Sequence, residues 1–280
     1  MREKAYAKVN LCLNVLGVLD NGYHDLEMIM VPIDLYDSLQ INISNEDKFI
    51  CNHNHLSLDD KNNTVLKAVN IIKDKYNINT KLDISLIKHI PSKAGLAGGS
   101  ADAAATIRLL NNLFNLNMTN KEMISVATQV GADVPFCLFN KPAYVRGIGE
   151  KLNFIESNMT TKVLLVKPYR GVSTRHAFDK LKEHEIINGN CNNIIEALKN
   201  NDYNLMCNSL SNALEKPSMD ILKEISKIKN SLLELGFDNC IMTGSGSTVI
   251  AFTKDEGLIN KTTSIMKKRK YFVRAVNLMN

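Results

Sequence analysis

The fold of this 280-residue chain is indicated most clearly by the stretch Pro91-Ser92-Lys93-Ala94-Gly95-Leu96-Ala97-Gly98-Gly99-Ser100. It joins a predicted strand over residues 82–87 to a predicted helix over residues 101–113. Glycines let the backbone approach a ligand closely and adopt positive φ. The first amides of a helix lack partners within the helix, and with the helix dipole they form a natural seat for phosphate. On these residues alone, a glycine-rich turn with Ser100 as an ordinary N-cap remains equally open.

Two familiar nucleotide-binding motifs do not match this stretch. A Walker A loop requires a lysine after its last glycine, whereas Gly99 is followed by Ser100. A dinucleotide fingerprint spaces its glycines as G-x-G-x-x-G, and here they stand at positions 95, 98 and 99. A phosphate-binding site in this stretch would therefore be neither a Walker A loop nor a dinucleotide fingerprint.

Before the glycine-rich stretch the sequence favours strands. Residues 5–16 alternate between apolar and polar, which predicts a half-buried strand with Lys8, Asn10 and Asn14 on its polar face. The other elements predicted in this part are strands over 26–35 and 38–43, a polar surface loop over 44–61 and a helix over 63–76.

After that stretch, helices and strands mix without strict βαβ alternation, which predicts an α+β fold. Thr119 and Glu122 have the spacing of a capping box, a helix-start signal. The chain turns polar near residue 157, which predicts domains over 1–157 and 158–280. The predicted helices are 101–113, 119–130, 174–182, 193–200, 203–210, 219–235 and 256–268, and the predicted strands are 135–139, 143–146, 162–166, 240–242, 248–252 and 271–276.

Composition excludes several classes of protein. No apolar run approaches the roughly 20 residues of a membrane span, and charged residues at positions 2–4 argue against a signal peptide, so we expect a cytoplasmic protein. The six cysteines include no C-x-x-C pair, which favours reduced thiols over disulfides or a zinc site. His53 and His55 form an H-x-H pair, which we interpret as exposed histidines rather than metal ligands.

The formal net charge is +5, and the main basic run is Lys267-Lys268-Arg269-Lys270. Such a run on a terminal helix is typical of a solvated face, so we expect no nucleic-acid partner and no membrane partner. A non-catalytic nucleotide- or RNA-binding protein is the alternative from a different class. A mild positive balance also suits an anionic nucleotide substrate. The sequence leaves the oligomeric state open.

The glycine-rich stretch resembles the P-x-x-x-G-L-[GA]-[GS]-S-[SA] loop of the galactokinase, homoserine, mevalonate and phosphomevalonate (GHMP) kinase superfamily. The resemblance implies a two-domain fold with mixed sheets and helices and an active site in the cleft between the domains. It also implies an ATP-dependent small-molecule kinase with ATP as cosubstrate and Mg²⁺. Further blocks resemble the cytidyl kinases of this superfamily and imply a cytidyl-diphospho substrate; a mevalonate or homoserine kinase is the nearest alternative. These blocks are Ala5-Tyr6-Ala7-Lys8-Val9-Asn10-Leu11, Asp20-Asn21-Gly22-Tyr23-His24, Gly131-Ala132-Asp133-Val134-Pro135 and Gly244-Ser245-Gly246-Ser247.

The resemblance also implies roles for individual residues. Asp133 would accept or orient the proton of the substrate hydroxyl, and Lys8 would face the developing phosphoryl charge. Tyr23 would stack on cytosine and His24 would bind its edge, while Asn10 orients the acceptor alcohol. Gly244 and Ser245 are implied as further substrate contacts, and Ser100 is a candidate metal ligand. The implied ATP-binding residues are Asn63, Lys88, Pro91, Gly95, Leu96, Ala97, Gly98, Gly99, Ser100 and Ala101.

Three residues depart from the family pattern. Ala97 stands where many relatives have glycine, and it requires a negative φ if the loop is to be unstrained. Ala101 replaces a serine and removes one hydroxyl contact to phosphate. Met30 replaces an aromatic side chain, so we expect a softer substrate pocket. Asp102, in the first turn of the predicted helix, is interpreted as a carboxylate that favours the helix dipole.

Overall fold

The computed structural model describes residues 1–20, 22–52 and 63–280. Two compact units are each assembled from separated stretches of the chain. The first comprises Met1–Ala7, Leu35–Ile90 and Ala97–Asn140, and the second comprises Lys8–Asp34, Pro91–Leu96 and Lys141–Asn280. Residues 157 and 158 both lie in the second unit, and the domain boundary between them stays a prediction. His53 and His55 lie outside the described residues.

The described residues form strands and helices with the following bounds. The strands are β1 (Arg2–Val18), β2 (His24–Ser44), β3 (Lys48–Cys51), β4 (Lys81–Ile87), β5 (Ala143–Gly147), β6 (Lys151–Phe154), β7 (Lys162–Lys167), β8 (Ser211–Asn212), β9 (Asn239–Met242), β10 (Val249–Phe252) and β11 (Phe272–Asn277). The helices are α1 (Thr64–Tyr76), α2 (Gly98–Leu113), α3 (Asn120–Val130), α4 (Val134–Cys137), α5 (Thr174–Leu181), α6 (Cys191–Asn200), α7 (Tyr203–Ser209), α8 (Glu215–Ile221), α9 (Glu224–Glu234) and α10 (Glu256–Lys268). None of these helices is long and apolar enough to cross a membrane.

In the first unit, strands follow the order β3-β4-β2-β1, with β3 parallel and β2 antiparallel to β4. Helices α1 to α4 complete this unit. Small side chains let α2 pack closely, because Ala101, Ala103, Ala104 and Ala105 are almost fully buried. Helix α3 begins with the predicted capping box, in which Thr119 and Glu122 bond reciprocally, and this prediction is confirmed.

The second unit contains two groups of strands. One has the order β6-β5-β2-β1-β8, in which the short β8 runs parallel to β1 at Cys12 and Leu13. The other is an antiparallel sheet of order β11-β7-β10-β9. All four residues of β10 are buried, so this strand forms the centre of the second sheet's core. The mixture of sheets and helices confirms the α+β prediction.

Strand β1 is buried on both faces. Lys8, Asn10 and Asn14, predicted to lie on the open face of a half-buried strand, are at most 3% exposed, and the intervening Val9 and Leu11 are fully buried. Successive side chains of a strand point to opposite faces, so protein covers both sides of β1. The half-buried prediction was wrong because alternation reports only the polarity of a face and not what packs against it.

Three predicted strands are arranged differently. Residues 26–35 and 38–43 belong to one continuous strand, β2, rather than to two. Residues 135–139, predicted as a strand, form the short helix α4, with Pro135 in its first turn. Proline is favoured at that position of a helix, and a short apolar run does not by itself distinguish strand from helix.

Two further predictions were wrong in their boundaries. The single helix predicted over 219–235 is two helices, α8 and α9, because Leu222 adopts extended backbone angles between them. The polar loop predicted over 44–61 contains strand β3, which pairs with β4. Pairing with a neighbouring strand stabilises β3, and that partner is more than thirty residues away in sequence.

The expectation of reduced cysteines is wrong for one pair. Cys12 on β1 and Cys191 at the start of α6 form a disulfide that joins positions 179 residues apart. Among the described residues, Cys51, Cys137, Cys207 and Cys240 form no disulfide. Sequence spacing carries no information on this pair, because the fold alone brings the two side chains together.

Candidate active site

Helix α2 begins inside the glycine-rich stretch. It starts at Gly98 rather than at Ala101, its N-cap residue is Ala97, and no side chain caps it. Ser100 therefore lies in the first turn, and its interpretation as an ordinary N-cap is wrong. The first amides of a helix have no partner within it and carry the positive end of the helix dipole. An uncapped helix start of this kind suits a phosphate group.

Ala97 turns the chain into α2 with left-handed backbone angles, φ 56° and ψ 30°. The condition for an unstrained loop, a negative φ at this residue, is therefore not met. Its carbonyl accepts the amide of Ala101 at 2.9 Å, the first hydrogen bond of the helix. Left-handed angles cost an L-residue other than glycine roughly 1–2 kcal/mol, so this loop is strained at Ala97.

The start of α1 contacts the same loop. Thr64 Oγ1 donates to the carbonyl of Gly99 at 2.7 Å. The preceding residue, Asn63, caps α1 by accepting the amides of Val65 and Leu66 with its Oδ1. Its Nδ2 is buried and has no hydrogen-bond partner among the described residues. Asn63 therefore offers a fixed donor next to a residue that contacts the glycine-rich stretch.

Lys88 lies in a buried cluster of charges. Its ammonium contacts the carboxylates of Asp37 and Asp102, and Asp37 also accepts the amides of His89 and Ile90. Burial raises the pKa of Asp102 to about 7, against the opposing effect of the Lys88 ammonium. The sequence singled out Lys88 and noted Asp102 but missed Asp37. A signal existed, because aspartate is depleted in strand interiors and Asp37 lies within β2.

In the second unit, β1 presents Lys8 and Asn10 side by side. Lys8 Nζ donates to Asn10 Oδ1 at 2.7 Å, and the Lys8 amide donates to the carbonyl of Leu96 at 3.2 Å. The Asn10 amide donates to Thr243 Oγ1 at 2.9 Å. Asn10 Nδ2 is buried without a hydrogen-bond partner among the described residues. A buried amide of this kind is a donor suited to an oxygen of a bound substrate.

The residues 91–96 pack against the loop after β9. A Cβ atom placed on Gly95 would lie 2.1 Å from the carbonyl oxygen of Thr243, and Gly95 has φ 74°. The amide of Thr248 donates to the carbonyl of Ala94 at 3.3 Å. Glycine is therefore required at position 95 both by its backbone angles and by the close approach of the second loop.

Several side chains fix the loop that carries Gly244 and Ser245. Asn212 Nδ2 donates to the carbonyl of Gly244 at 2.9 Å, and Ser218 Oγ donates to the carbonyl of Ser245 at 3.1 Å. The hydroxyls of Ser245 and Thr174 are 2.9 Å apart and hydrogen-bonded. These contacts hold the loop in place within its unit, so it is preformed.

An aromatic group follows the turn after β1. Tyr23 is 60% exposed, and the ring of His24 stacks on that of Phe178 with centroids 4.4 Å apart. Burial, and then the charge of Lys182, lower the pKa of His24, which leaves a neutral imidazole with one donor and one acceptor at pH 7. Phe178 was missed at the sequence level, since no local pattern connects position 178 with position 24.

Asp133 lies in the short turn between α3 and α4, in the first unit. It is the N-cap residue of α4 but makes no side-chain capping bond, and the Val134 amide bonds the carbonyl of Gly131 at 3.2 Å. The backbone around Asp133 is thus fixed while its carboxylate is not used as a cap.

Met30 is fully buried in β2 and pairs with Ala143.

The site residues singled out by sequence divide between the two units. The first unit brings together Asn63, Lys88 and residues 97–101, and it also carries Asp133. In the second unit, residues 91–96 contact both Lys8 and the loop after β9. Asn10 contacts Thr243 of that loop, which also carries Gly244 and Ser245. Tyr23 and His24 also belong to it.

Comparison with known proteins gives two family matches. Residues 63–141 match the model of the N-terminal domain of GHMP kinases, and residues 194–271 match that of the GHMP kinase C-terminal domain. Proteins named 4-diphosphocytidyl-2-C-methyl-D-erythritol kinase are similar over most of the chain. One from Bacillus subtilis is 37% identical, covering 99% of this chain and 98% of its own. One from Clostridium tetani is 39% identical, covering 90% of each.

Solved structures of kinases are also similar to this chain. A crystal structure of 4-(cytidine 5'-diphospho)-2C-methyl-D-erythritol kinase matches with a TM-score of 0.83 and 25% identity, covering 100% of both chains. Homoserine kinase from Cytophaga hutchinsonii matches with a TM-score of 0.75 and 19% identity, covering 98% of this chain and 95% of its own. The second likeness concerns the fold alone.

Proposed function

Because this chain belongs to the GHMP kinase family, we propose that it transfers the γ-phosphoryl group of ATP to the 2-hydroxyl of 4-diphosphocytidyl-2-C-methyl-D-erythritol. The products are the 2-phosphate and ADP, in a step of the non-mevalonate isoprenoid pathway. The kinase reaction is carried by one observation, the uncapped start of α2 at Gly98. The choice of acceptor is supported by the names of relatives 36–39% identical over at least 90% of the chain.

We assign ATP to the glycine-rich stretch and its neighbours. The amides of Gly98, Gly99 and Ser100, with the dipole of α2, would hold the phosphates. Ala101 contributes no hydroxyl, so the loop would bind mainly through its backbone. Asn63, with its buried donor, is the residue we propose beside the adenosine. The remaining proposed contacts of ATP are Pro91, Gly95, Leu96 and Ala97.

We assign the chemistry to Asp133 and Lys8. As the acceptor oxygen forms its bond to the γ-phosphorus and the bond to the ADP oxygen breaks, Asp133 accepts the hydroxyl proton. The Lys8 ammonium offsets negative charge that develops on the transferred group. Lys8 is held at a defined place by its bond to Asn10 Oδ1, which supports this role.

We assign the cytidyl portion of the acceptor to Tyr23, His24 and Phe178. Exposed Tyr23 would stack on the base, and the neutral imidazole of His24 would exchange hydrogen bonds with the base edge. Asn10 Nδ2 would donate to an oxygen of the alcohol portion. Gly244 and Ser245 would line the same substrate on their preformed loop.

Mg²⁺ is the metal that an ATP-dependent kinase implies. Magnesium at such sites is held by substrate phosphates, waters and one or two protein oxygens. Among the described residues no group of three or more His, Cys, Asp and Glu side chains could hold a metal, which fits an ion carried by the nucleotide. Ser100, in the first turn of α2, is the hydroxyl we propose to contact it. When bound, the ion would neutralise phosphate charge.

A substrate panel tests the proposal. Purified protein with ATP and Mg²⁺ is offered the cytidyl compound, mevalonate, homoserine or no acceptor, and ADP is measured by a coupled assay. We expect turnover of the cytidyl compound alone, with phosphorus NMR placing the new phosphate on the 2-hydroxyl. Turnover of mevalonate or homoserine instead would contradict the assigned acceptor. Salt-sensitive RNA binding with no ADP from any acceptor would favour a nucleic-acid-binding protein.

A further inference from the structure

Three buried charges lie directly behind the first turn of α2. The side chain of Asp37 is fully buried, that of Asp102 is 4% exposed and that of Lys88 is 10% exposed. A Cβ atom placed on Gly98 would lie 3.4 Å from the Lys88 ammonium and 2.9 Å from the side chain of Ile90. The Lys88 ammonium therefore lies within van der Waals distance of the place where a side chain at position 98 would begin.

We propose that Lys88, Asp37 and Asp102 are positioning residues that hold the first turn of α2 in the geometry that receives ATP phosphate. In this role Lys88 acts through the loop, in place of the direct contact with ATP that the family resemblance implies for it. The inference rests on the proposed function only for its kinetic readout, because the geometry of the loop exists without ligand.

The contacts form a continuous link from α2 to the strands behind it. Asp102 is part of α2, two residues after Ser100, and its Oδ2 contacts the Lys88 ammonium. Lys88 in turn contacts Asp37, which accepts the amides of His89 and Ile90, immediately before Pro91. The start of the helix is thus linked to β2 and to the segment that enters the glycine-rich stretch.

Asp102 has only one of its oxygens engaged. Its Oδ1 is buried without a hydrogen-bond partner among the described residues, and its Oδ2 contacts the Lys88 ammonium. Removing the ammonium would leave two buried carboxylates facing each other. Since the pKa of Asp102 is already raised to about 7, we expect it to hold a proton in that case. Helix α2 would then lose its charged contact with Lys88 and be held less firmly against β2.

Stability alone does not account for this cluster. Removing charges from water is expensive, and apolar residues of similar volume are often as stabilising as a buried ion pair, or more so. Two carboxylates and one ammonium also leave one excess negative charge when all three are ionised. A requirement for defined geometry at Gly98 explains why charged side chains occupy a place that apolar ones would fill.

Three near-isosteric variants test the proposal: Lys88→Met, Asp37→Asn and Asp102→Asn. In the ligand-free proteins, hydrogen–deuterium exchange of a peptide covering residues 94–106 should increase in each variant. The KM for ATP should rise on the order of 10- to 100-fold, as expected when positioning is lost, with the KM for the acceptor within twofold of wild type. Asp47→Asn is the matched control, since Asp47 also pairs with two lysines of the first unit, Lys73 and Lys81.

The pattern among the variants decides between roles. A direct nucleotide contact by Lys88 would raise the KM for ATP only in Lys88→Met and leave Asp37→Asn unchanged, and this result would overturn the proposal. The double variant Lys88→Met/Asp102→Asn should be less impaired than the product of the single effects, whereas strictly multiplicative effects would also overturn it. Should Lys88→Met fail to fold, the two aspartate variants carry the test.

Failure of the proposed function gives a different result. If the wild-type protein phosphorylates no acceptor, the kinetic readout is lost but the exchange data stand. Unchanged exchange over residues 94–106 in Asp37→Asn and Asp102→Asn then overturns the positioning role. Increased exchange there, with unchanged exchange in Asp47→Asn, supports it.

Discussion

The ammonium of Lys8 donates to the side-chain oxygen of Asn10 at 2.7 Å, on one buried face of β1. Residues two apart in a strand share a face, so the A-K-V-N sequence places a cation and an amide side by side. The Asn10 backbone is fixed by Thr243 Oγ1, and Asn10 Nδ2 has no hydrogen-bond partner among the described residues. The pair therefore combines a positioned cation with a donor suited to the acceptor alcohol.

The roles of Lys8 and Asp133 predict the largest losses of activity. Lys8→Met and Asp133→Asn should each lower kcat on the order of 10²- to 10⁴-fold, since acid–base and charge-stabilising groups contribute amounts of this size. Circular dichroism should be unchanged in both. Lys4→Met, an exposed lysine of the same strand, is the control and should keep wild-type kcat. A Lys8 or Asp133 variant with near wild-type kcat would show that its assigned role is wrong.

The aromatic group predicts a selective effect on the acceptor. Tyr23→Ala should raise the KM for the cytidyl substrate about tenfold or more, because base stacking on an aromatic ring contributes roughly 1–3 kcal/mol. Phe178→Ala should raise it as well, because His24 then loses the ring on which it stacks. The KM for ATP should stay within twofold. Tyr169→Ala removes a tyrosine that is 95% exposed and serves as the control. An unchanged KM for the cytidyl substrate would contradict a base site at these residues.

The left-handed angles of Ala97 predict a stabilising substitution. Ala97→Gly should raise the thermal midpoint by about 2 °C, because relief of left-handed strain exceeds the conformational entropy that glycine loses on folding. Ala101→Gly, at a helical position, should lower the midpoint instead. Differential scanning calorimetry measures both, and equal signs for the two variants would argue against strain at Ala97.

The disulfide between Cys12 and Cys191 predicts sensitivity to reductant. Reduction should destabilise the protein by about 2–4 kcal/mol, since the cross-link closes a long loop in the unfolded chain. Thermal midpoints with and without dithiothreitol measure this effect. Cys191→Ser should show the lower midpoint in both conditions and no response to dithiothreitol. A wild-type thermal midpoint that is the same with and without dithiothreitol would contradict a stabilising cross-link.

The raised pKa of Asp102 predicts how stability changes with pH. Between its ordinary value of 3.8 and about 7, the folded protein holds a proton on this carboxyl that the unfolded chain releases. Its contribution to stability is therefore present below pH 4 and lost as pH rises to 7, by at most about 1.4 kcal/mol per pH unit. Thermal midpoints from pH 5 to 7.5 measure it. The difference between wild type and Asp102→Asn should shrink or reverse as pH rises, and a difference independent of pH would contradict the assignment.

Local signals predicted many of the elements and the family. The capping box of Thr119 and Glu122 marked the start of α3, and residues 256–268 form α10 as predicted. These features depend on neighbours three or four residues apart, which a sequence displays directly. The glycine-rich stretch and the A-K-V-N block likewise identify the family, because their chemistry lies in contiguous residues.

Long-range packing decided what the sequence could not display. Helix α2 starts at Gly98 rather than at residue 101, and Ala97 has left-handed angles, because Thr64 and the segment 88–90 pack against this turn. Asp37 contacts Lys88, which is 51 positions away in the sequence, and the ring of Phe178 stacks on that of His24 within the second unit.

Composition and motif thus determined the fold class, the family and the kind of chemistry. Only the tertiary structure shows the disulfide, the burial of β1 on both faces and the charge cluster behind the first turn of α2. The physical reason is that hydrogen bonds, ion pairs and packing act over a few ångströms in space. Residues far apart in the chain therefore come under one another's influence only once the chain has folded.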